Sequence, residues 1–414
     1  MSVPDRRARS WQQASGDRPT GTAVAPHDLR LFVIAGEHSG DALGAKLMAA
    51  LNRRCKGRVH YLGVGGEKME DEGLISQFPL SDVAVMGILS ILRRLPRLIS
   101  RVHRTVDAVV AAEPDAVIII DAPEFTHAIA KRIRRKLPHV PIIDYVCPSV
   151  WAWRPGRARK MERYVDHVLA LLPFEPDALQ RLGGPSSTYV GHPLIERLEW
   201  LENLDSAPLT ERLQLEPGRL VLVVLPGSRT SEVGLLMEPF GKAIEQLYER
   251  RIRPEVIIPV VPHVRPLIEQ KLAAWSIKRH LVEGEEDKFR AFKLAHAALA
   301  ASGTVTLELA LSGTPTVVAY KADPLVARLR FLVKVPSVVL ANLVLGENVF
   351  PEYLQEECTP ELLSAAVELL LKNTPERRAQ VKALATITDR MQPVGGAPSE
   401  IAAETILRVI AQQR

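Results

Sequence analysis

At 414 residues the chain is too long for one ordinary core, so two domains of roughly 150–200 residues are expected. Hydrophobic residues make up 47% and charged ones 24%, and no run approaches the roughly 18 apolar residues a membrane-spanning helix needs. A net charge of +5 favours anionic partners without choosing among nucleic acid, phosphorylated small molecules and an acidic membrane, while Cys55, Cys147 and Cys358 lack disulfide or metal-ligand spacing and read as small buried thiols of a reducing compartment.

Residues 1–28 are polar and aperiodic, and no apolar stretch follows Arg6–Arg7. They read as a disordered extension outside the fold, not as an export signal. From Arg30 onward, short β-branched runs alternate with helical patterns, the rhythm of an α/β protein with parallel sheets. A strand is predicted at Arg30–Ala35, a helix at Ala42–Arg54, and strands at Val59–Gly63, Ala116–Asp121, Pro141–Val146, Asp166–Leu172 and Thr188–Gly191. Val117–Ile120 is continuously apolar, so it should be buried on both faces. A polar, acidic stretch at 196–218 precedes a second βα series, with strands at Leu220–Leu225, Glu255–Val261, Ala297–Ala301 and Thr316–Tyr320. The boundaries that follow are 29–205 for a first unit, 206–380 for a second, and 381–414 for terminal helices that could cross back to the first. Two such units imply a cleft, where ligands usually sit.

Chemistry-bearing residues cluster at the predicted strand ends. The first βα turn, Gly36-Glu37-His38-Ser39-Gly40-Asp41, permits close backbone approach and leaves helix N–H groups free for an anion; alternatively Asp41 simply caps the helix. Asp121 ends the third predicted strand, where a carboxylate serves either as a general base or as a helix cap. Trp151 and Trp153 follow another strand end and suit sugar stacking, acyl contact or core packing, and the basic run Arg154, Arg157, Arg159, Lys160 and Arg163 reads first as a solvated face. In the second unit, Gly227-Ser228-Arg229 offers backbone donors and a guanidinium to a diphosphate. Ser302, Gly303 and Thr304 open a helix suited to phosphate, and Glu308, one turn on, could accept both hydroxyls of a ribose. P-loop, H-E-x-x-H, G-x-S-x-G and D-x-D patterns are absent, which argues against P-loop NTPases, zincins, common serine hydrolases and a metal-clamped diphosphate.

Val85–Arg104 stands apart. Val85, Ile88, Leu92, Leu95 and Ile99 share a helical face widened by Met86, Leu89, Ile91 and Leu98, beside a stripe of Arg93, Arg97, Arg101 and Arg104. Pro96 is expected to kink or split this helix. The pattern suits either a helix lying in an anionic interface or a core helix with a basic edge.

In order and spacing, these motifs resemble the lipid A disaccharide synthase family, bacterial glycosyltransferases built of two Rossmann-like domains facing a cleft (GT-B architecture). The resemblance runs over about 30–380 and rests on Gly36–Asp41, Met86-Gly87-Ile88, Ile120–Pro123, Pro148–Trp153 and Gly191-His192-Pro193. It continues through Leu225–Arg229, Ser302–Thr304, Glu308, Gly313-Thr314-Pro315 and Leu354–Cys358. It implies transfer from UDP-2,3-diacylglucosamine to 2,3-diacylglucosamine 1-phosphate with inversion, giving the β-1,6-linked disaccharide 1-phosphate and UDP, with no metal or other cofactor. On this resemblance Asp121 is the catalytic base. Arg229, Ser302, Gly303, Thr304, Glu308 and Asn342 hold the nucleotide sugar, and Glu37, Ser39, Gly40, Trp151 and His192 line the acceptor side of the cleft. Met86, Ile88, Leu89, Leu92, Arg93, Leu95 and Arg97 would meet the inner-membrane surface from the cytoplasmic side, as a monomer or homodimer. The chain departs from the family pattern at His38, Glu124, Thr126 and Glu347. The rival expectations are a sugar-nucleotide epimerase, a transferase with a soluble acceptor, or a non-catalytic binding module.

Overall fold

A computed structural model describes residues 28–83, 88–322 and 335–413, the side chains of 88–94 excepted. The expectations for residues 1–27 and Met86 lie outside the described residues.

Seven parallel strands build the first sheet: β1 (Leu29–Ala35), β2 (Val59–Val64), β3 (Leu74–Ser76), β4 (Ala116–Ile120), β5 (Ile142–Tyr145), β6 (His167–Ala170) and β7 (Ser186–Tyr189). Their order is β3-β2-β1-β4-β5-β6-β7. Six more form the second sheet: β8 (Val221–Leu225), β9 (Glu255–Val260), β10 (Arg279–Glu283), β11 (Ala297–Ala301), β12 (Thr316–Tyr320) and β13 (Glu352–Leu354), ordered β10-β9-β8-β11-β12-β13. The chain is thus two α/β domains with helices on both faces of each sheet. The strand order reverses between β1 and β4, and again between β8 and β11. At such switch points the loops leaving the carboxyl ends diverge and open a crevice.

The central strands are apolar throughout because helices cover both their faces. Val117, Ile118, Ile119 and Ile120 are all fully buried, and Ile119 pairs in register with Ile34 of β1. One face of the first sheet packs under Leu47, Met48 and Leu51 of the helix His38–Arg54, and is also covered by Ala402, Ile406 and Ile410 of the helix Pro398–Gln412. The chain's last helix therefore completes the core of its first domain. A separate apolar cluster joins the domains, bringing Leu172 and Ile195 against Leu307, Val318, Phe350 and Met391.

Three differences from the predicted elements have physical causes. The first helix starts at His38, not Ala42, so Ser39 and Gly40 belong to its opening turn. All four edge strands were unpredicted or displaced: β3, β10 and β13 carry no predicted strand, and β7 begins at Ser186, not Thr188. An edge strand has one neighbour, stays short and lacks a continuous apolar run, so its sequence signal is weak. Pro96 lies inside a single helix, Ile88–Ala112, and does not split it. Proline's φ is helical, and Leu95, Pro96 and Arg97 are exposed, so water can serve the carbonyl left without its amide partner.

Candidate active site

The first half of the site is made by the loops after β1 and β4, which are neighbours at the switch point. Gly36 follows β1 directly, and a Cβ there would lie 2.2 Å from the Cβ of Ala122. Only glycine lets the two loops touch. Asp121 and Ala122 both take left-handed backbone, at φ 52° and 45°, and Val146 after β5 does so at 92°. Non-glycine residues in that region store roughly 1–3 kcal/mol of strain each and concentrate where function requires an unusual orientation. Here the strain turns the Asp121 carboxylate out of the sheet and into a cavity.

Asp121 does not cap the following helix. Its Oδ1 accepts the Ala122 N–H at 2.7 Å, and its Oδ2 lies 3.5 Å from Ser39 Oγ, the donor. Thr126 fixes the loop from below, its hydroxyl donating to the Asp121 carbonyl at 2.8 Å. Asp41, the other proposed cap, caps a different helix: it accepts the N–H groups of Gly66 at 2.8 Å and Met69 at 3.1 Å.

The carboxylate faces a cavity of about 150 Å³ lined by Asp121, Pro123, His127, Asp144, Cys147 and Ser149, among others. His127 and Asp144 are buried in its wall. His127 Nε2 and Asp144 Oδ2 approach to 3.0 Å, yet off the angle of a hydrogen bond, and neither atom has another hydrogen-bond partner among the described residues. His127 Nδ1 meets the Tyr164 hydroxyl at 3.1 Å.

The second half is made by the loops after β8 and β11, also neighbours. Gly227 adopts φ 113°, and a Cβ on it would meet Glu232 at 2.5 Å. Glu232 is the residue sequence reasoning missed. Nearly buried, it accepts the N–H groups of Ser228 at 3.2 Å and Arg229 at 3.3 Å, and binds Arg229 Nη1 at 2.7 Å. Two backbone donors expected to hold a diphosphate are therefore already engaged, and in return the guanidinium is held in place. The signal was a glutamate three residues after the helix-capping position, a capping-box spacing. Ser302 donates its hydroxyl to the Val338 carbonyl at 2.7 Å, while Gly303 and Thr304 are exposed at the rim.

Other expected residues are drawn elsewhere. Both carboxylate oxygens of Glu308 engage Lys288, at 2.8 and 2.9 Å. Asn342 is buried, its amide bonded to Phe350 at 2.9 and 2.8 Å and to Glu352, so it closes a loop and does not reach the crevice. Trp151 packs edge-on against Phe174 at 5.0 Å and donates to Glu175 at 3.1 Å, which makes it part of the core between the domains. Gly40 packs against Ala35 and Ile120. Burial, with a smaller effect of Lys46, pushes the His192 imidazole down to about 4. The backbones of Ile88, Leu89, Leu92 and Arg93 are helical but their side chains lie outside the described residues, while Leu95 and Arg97 are exposed.

Glu37 links the two halves. Burial, then the charge of Asp121, pushes its carboxyl above the ordinary range, while Arg229 of the second domain and His38 pull it down. Reciprocally, the Arg229 guanidinium feels Glu37. Two carboxylates on one side of the gap thus confront one anchored guanidinium on the other. Among the described residues, no group of three or more His, Cys, Asp or Glu side chains could hold a metal ion.

Comparison with known proteins agrees with this architecture. A family model described as lipid-A-disaccharide synthetase matches residues 31–406. Lipid-A-disaccharide synthase from Nitrobacter hamburgensis is 47% identical over 395 residues, 95% of this chain and 98% of its own. The protein of that name from Rhodospirillum centenum is 43% identical, covering 93% of this chain and 96% of its own. Among solved structures, a UDP-GlcNAc 2-epimerase from Neisseria meningitidis bound to UDP-GlcNAc superposes with a TM-score of 0.64 at 15% identity, over 92% of this chain and 100% of its own. MurG from Acinetobacter baumannii gives 0.54 at 13%, over 93% and 99%. At such identities these structures speak for the fold alone. With a full-length family match and near-half identity to its relatives, the chain belongs to the lipid-A-disaccharide synthase family and is a glycosyltransferase of the GT-B fold.

Proposed function

We propose that the enzyme transfers 2,3-diacylglucosamine from UDP-2,3-diacylglucosamine to the 6-hydroxyl of 2,3-diacylglucosamine 1-phosphate, with inversion at the anomeric carbon. The observation that carries this reading is that the charges of Asp121 and Arg229, from opposite domains, both act on the half-buried Glu37 carboxyl. It supports a base and a leaving-group clamp that share one gap. Asp121 removes the proton from the acceptor hydroxyl as the new C1–O6 bond forms. The bond from C1 to the diphosphate breaks on the opposite face, and UDP leaves with the electron pair. Its growing negative charge is met by Arg229, which Glu232 has already oriented, so little reorganisation accompanies the step. Closure over the crevice would exclude water that could otherwise hydrolyse the donor.

In this reading residues 29–205 serve the acceptor and 206–380 the donor, with 381–414 tied back to the acceptor side. The helix Ile88–Ala112 carries exposed Leu95 and Ile99, which suits contact with the inner-membrane surface from the cytoplasmic side. Among the described residues no helix is long and apolar enough to cross a membrane.

The test is to incubate purified protein with both monosaccharide lipids and follow the products by mass spectrometry. Disaccharide 1-phosphate and free UDP in equal amounts are expected. Donor epimerised without acceptor, or free UDP without disaccharide, would refute the reading.

A further inference from the structure

The basic run after Trp153 is only partly a solvated face. Arg154, Arg157 and Lys160 converge with Lys131 of the helix Pro123–Lys136 around an open surface pocket of about 380 Å³, joined there by the single carboxylate of Glu124. Four cations against one carboxylate leave the pocket three charges positive. Arg157 is bound at 3.0 Å to the carbonyl of Pro123 and at 2.9 Å to Glu124. Arg154 is stacked over the Trp153 ring at 4.2 Å, and the Lys131 ammonium sits 5.1 Å above the Tyr164 ring. Arg154, Lys131 and Lys160 form no ion pair among the described residues. Burial, then the charge of Arg157, pushes the Lys131 ammonium below its ordinary range, with Lys160 adding to the effect. An anion entering the pocket would relieve that repulsion.

Position selects the anion. Pro123 lines the Asp121 cavity and the next residue, Glu124, lines the basic one, so the two are adjacent along one helix start. The donor diphosphate belongs across the crevice at Arg229. In a hexopyranose C1 and C5 flank the ring oxygen, so the 6-hydroxyl, carried on C5 through C6, and a 1-phosphate leave the same edge of the ring, a few bonds apart. A sugar with its 6-hydroxyl at Asp121 can therefore place its 1-phosphate in the adjoining basic pocket. We propose that Lys131, Arg154, Arg157 and Lys160 form the pocket for the acceptor's phosphomonoester, and that this pocket selects a sugar 1-phosphate over the free sugar. The proposal rests on the transfer reaction proposed above. Glu124 is mostly exposed and would yield Arg157 to the incoming phosphate.

Lys131→Gln/Lys160→Gln is the informative variant, since Arg157 also supports the loop beside Asp121. In neutral detergent micelles, it should lower kcat/KM for 2,3-diacylglucosamine 1-phosphate by at least roughly tenfold, through KM. Values for the 1-hydroxyl analogue and for the UDP-sugar KM should stay unchanged. A variant that keeps the wild-type preference for the phosphorylated acceptor overturns the proposal. So does a variant that keeps that preference and loses only its binding to phosphatidylglycerol-containing vesicles, because the cations would then serve the membrane. Calorimetric titration with glucosamine 1-phosphate and with glucosamine reads the pocket without turnover. If wild type forms no disaccharide yet binds the phosphorylated sugar through Lys131 and Lys160, the reaction falls and the phosphate pocket stands. Equal binding of the two sugars removes the pocket.

Discussion

Asp121 owes its position to a neighbour that has no side chain. Gly36 lets the first loop lie against Ala122, and a methyl group there would strike Ala122 at 2.2 Å. Gly36→Ala should therefore cost about 1–3 kcal/mol of stability by overpacking and displace the strained Asp121–Ala122 pair. Chemical denaturation and turnover, measured together, should both report the loss. Asp121→Asn keeps the shape and removes the proposed base. Turnover should fall by ~10²–10⁴ while UDP affinity holds, which stopped assays and calorimetry would check. Arg229→Ala is the complementary case: removal of a charged donor should weaken UDP binding by roughly ten- to hundredfold.

Elements explain why the sequence was legible in some places and silent in others. Central strands such as Val117–Ile120 are buried on both faces, so their apolar runs are unbroken and easily read. The edges β3, β7, β10 and β13 face such demands on one side only, and they were lost or misplaced. In the candidate site, the placing of Asp121 and Arg229 in loops that leave carboxyl strand ends was readable, because Asp121 directly follows buried β4 and Arg229 lies four residues past buried β8. Glu232 was not, since it sits inside a helix and shows its role only when the loop folds back over it. Likewise Asn342 and Trp151 carry suggestive side chains that the fold turns inward. The helix Ile88–Ala112 combines both situations: Val102, Val106 and Val109 belong to the core, while Leu95 and Ile99 are exposed. Leu95→Glu should accordingly change stability by no more than about 0.5 kcal/mol. If this face meets lipid, the same variant should lose co-sedimentation with anionic vesicles.

For the molecule as a whole, the contact between domains carries a pH-sensitive group. Glu175 is buried there, accepting the N–H groups of Leu171 and Leu172 at 3.0 Å and the Trp151 indole at 3.1 Å. Burial, only partly offset by these bonds, pushes its carboxyl up to about 7. With the folded value above the unfolded one, the stabilisation is complete below about pH 4.5 and declines as pH rises to about 7. Glu175→Gln abolishes that titration at the expense of one hydrogen bond. From pH 4.5 to 7 wild type should therefore lose a few kcal/mol of stability relative to the variant, enough to reverse their order, read by urea unfolding at both ends. Ile406→Ala, far along the chain, should destabilise the first domain by about 2–5 kcal/mol, because its side chain is buried against that sheet.

That last helix also governs how the protein is made. While a ribosome synthesises the stretch from Leu204 to Pro398, one greasy flank of the first sheet is covered only in part, by the helix His38–Arg54, for roughly 10–40 s at ordinary elongation rates. Newborn chains must be shielded during that interval, and a truncated transcript would yield an aggregating fragment instead of a stable half-enzyme.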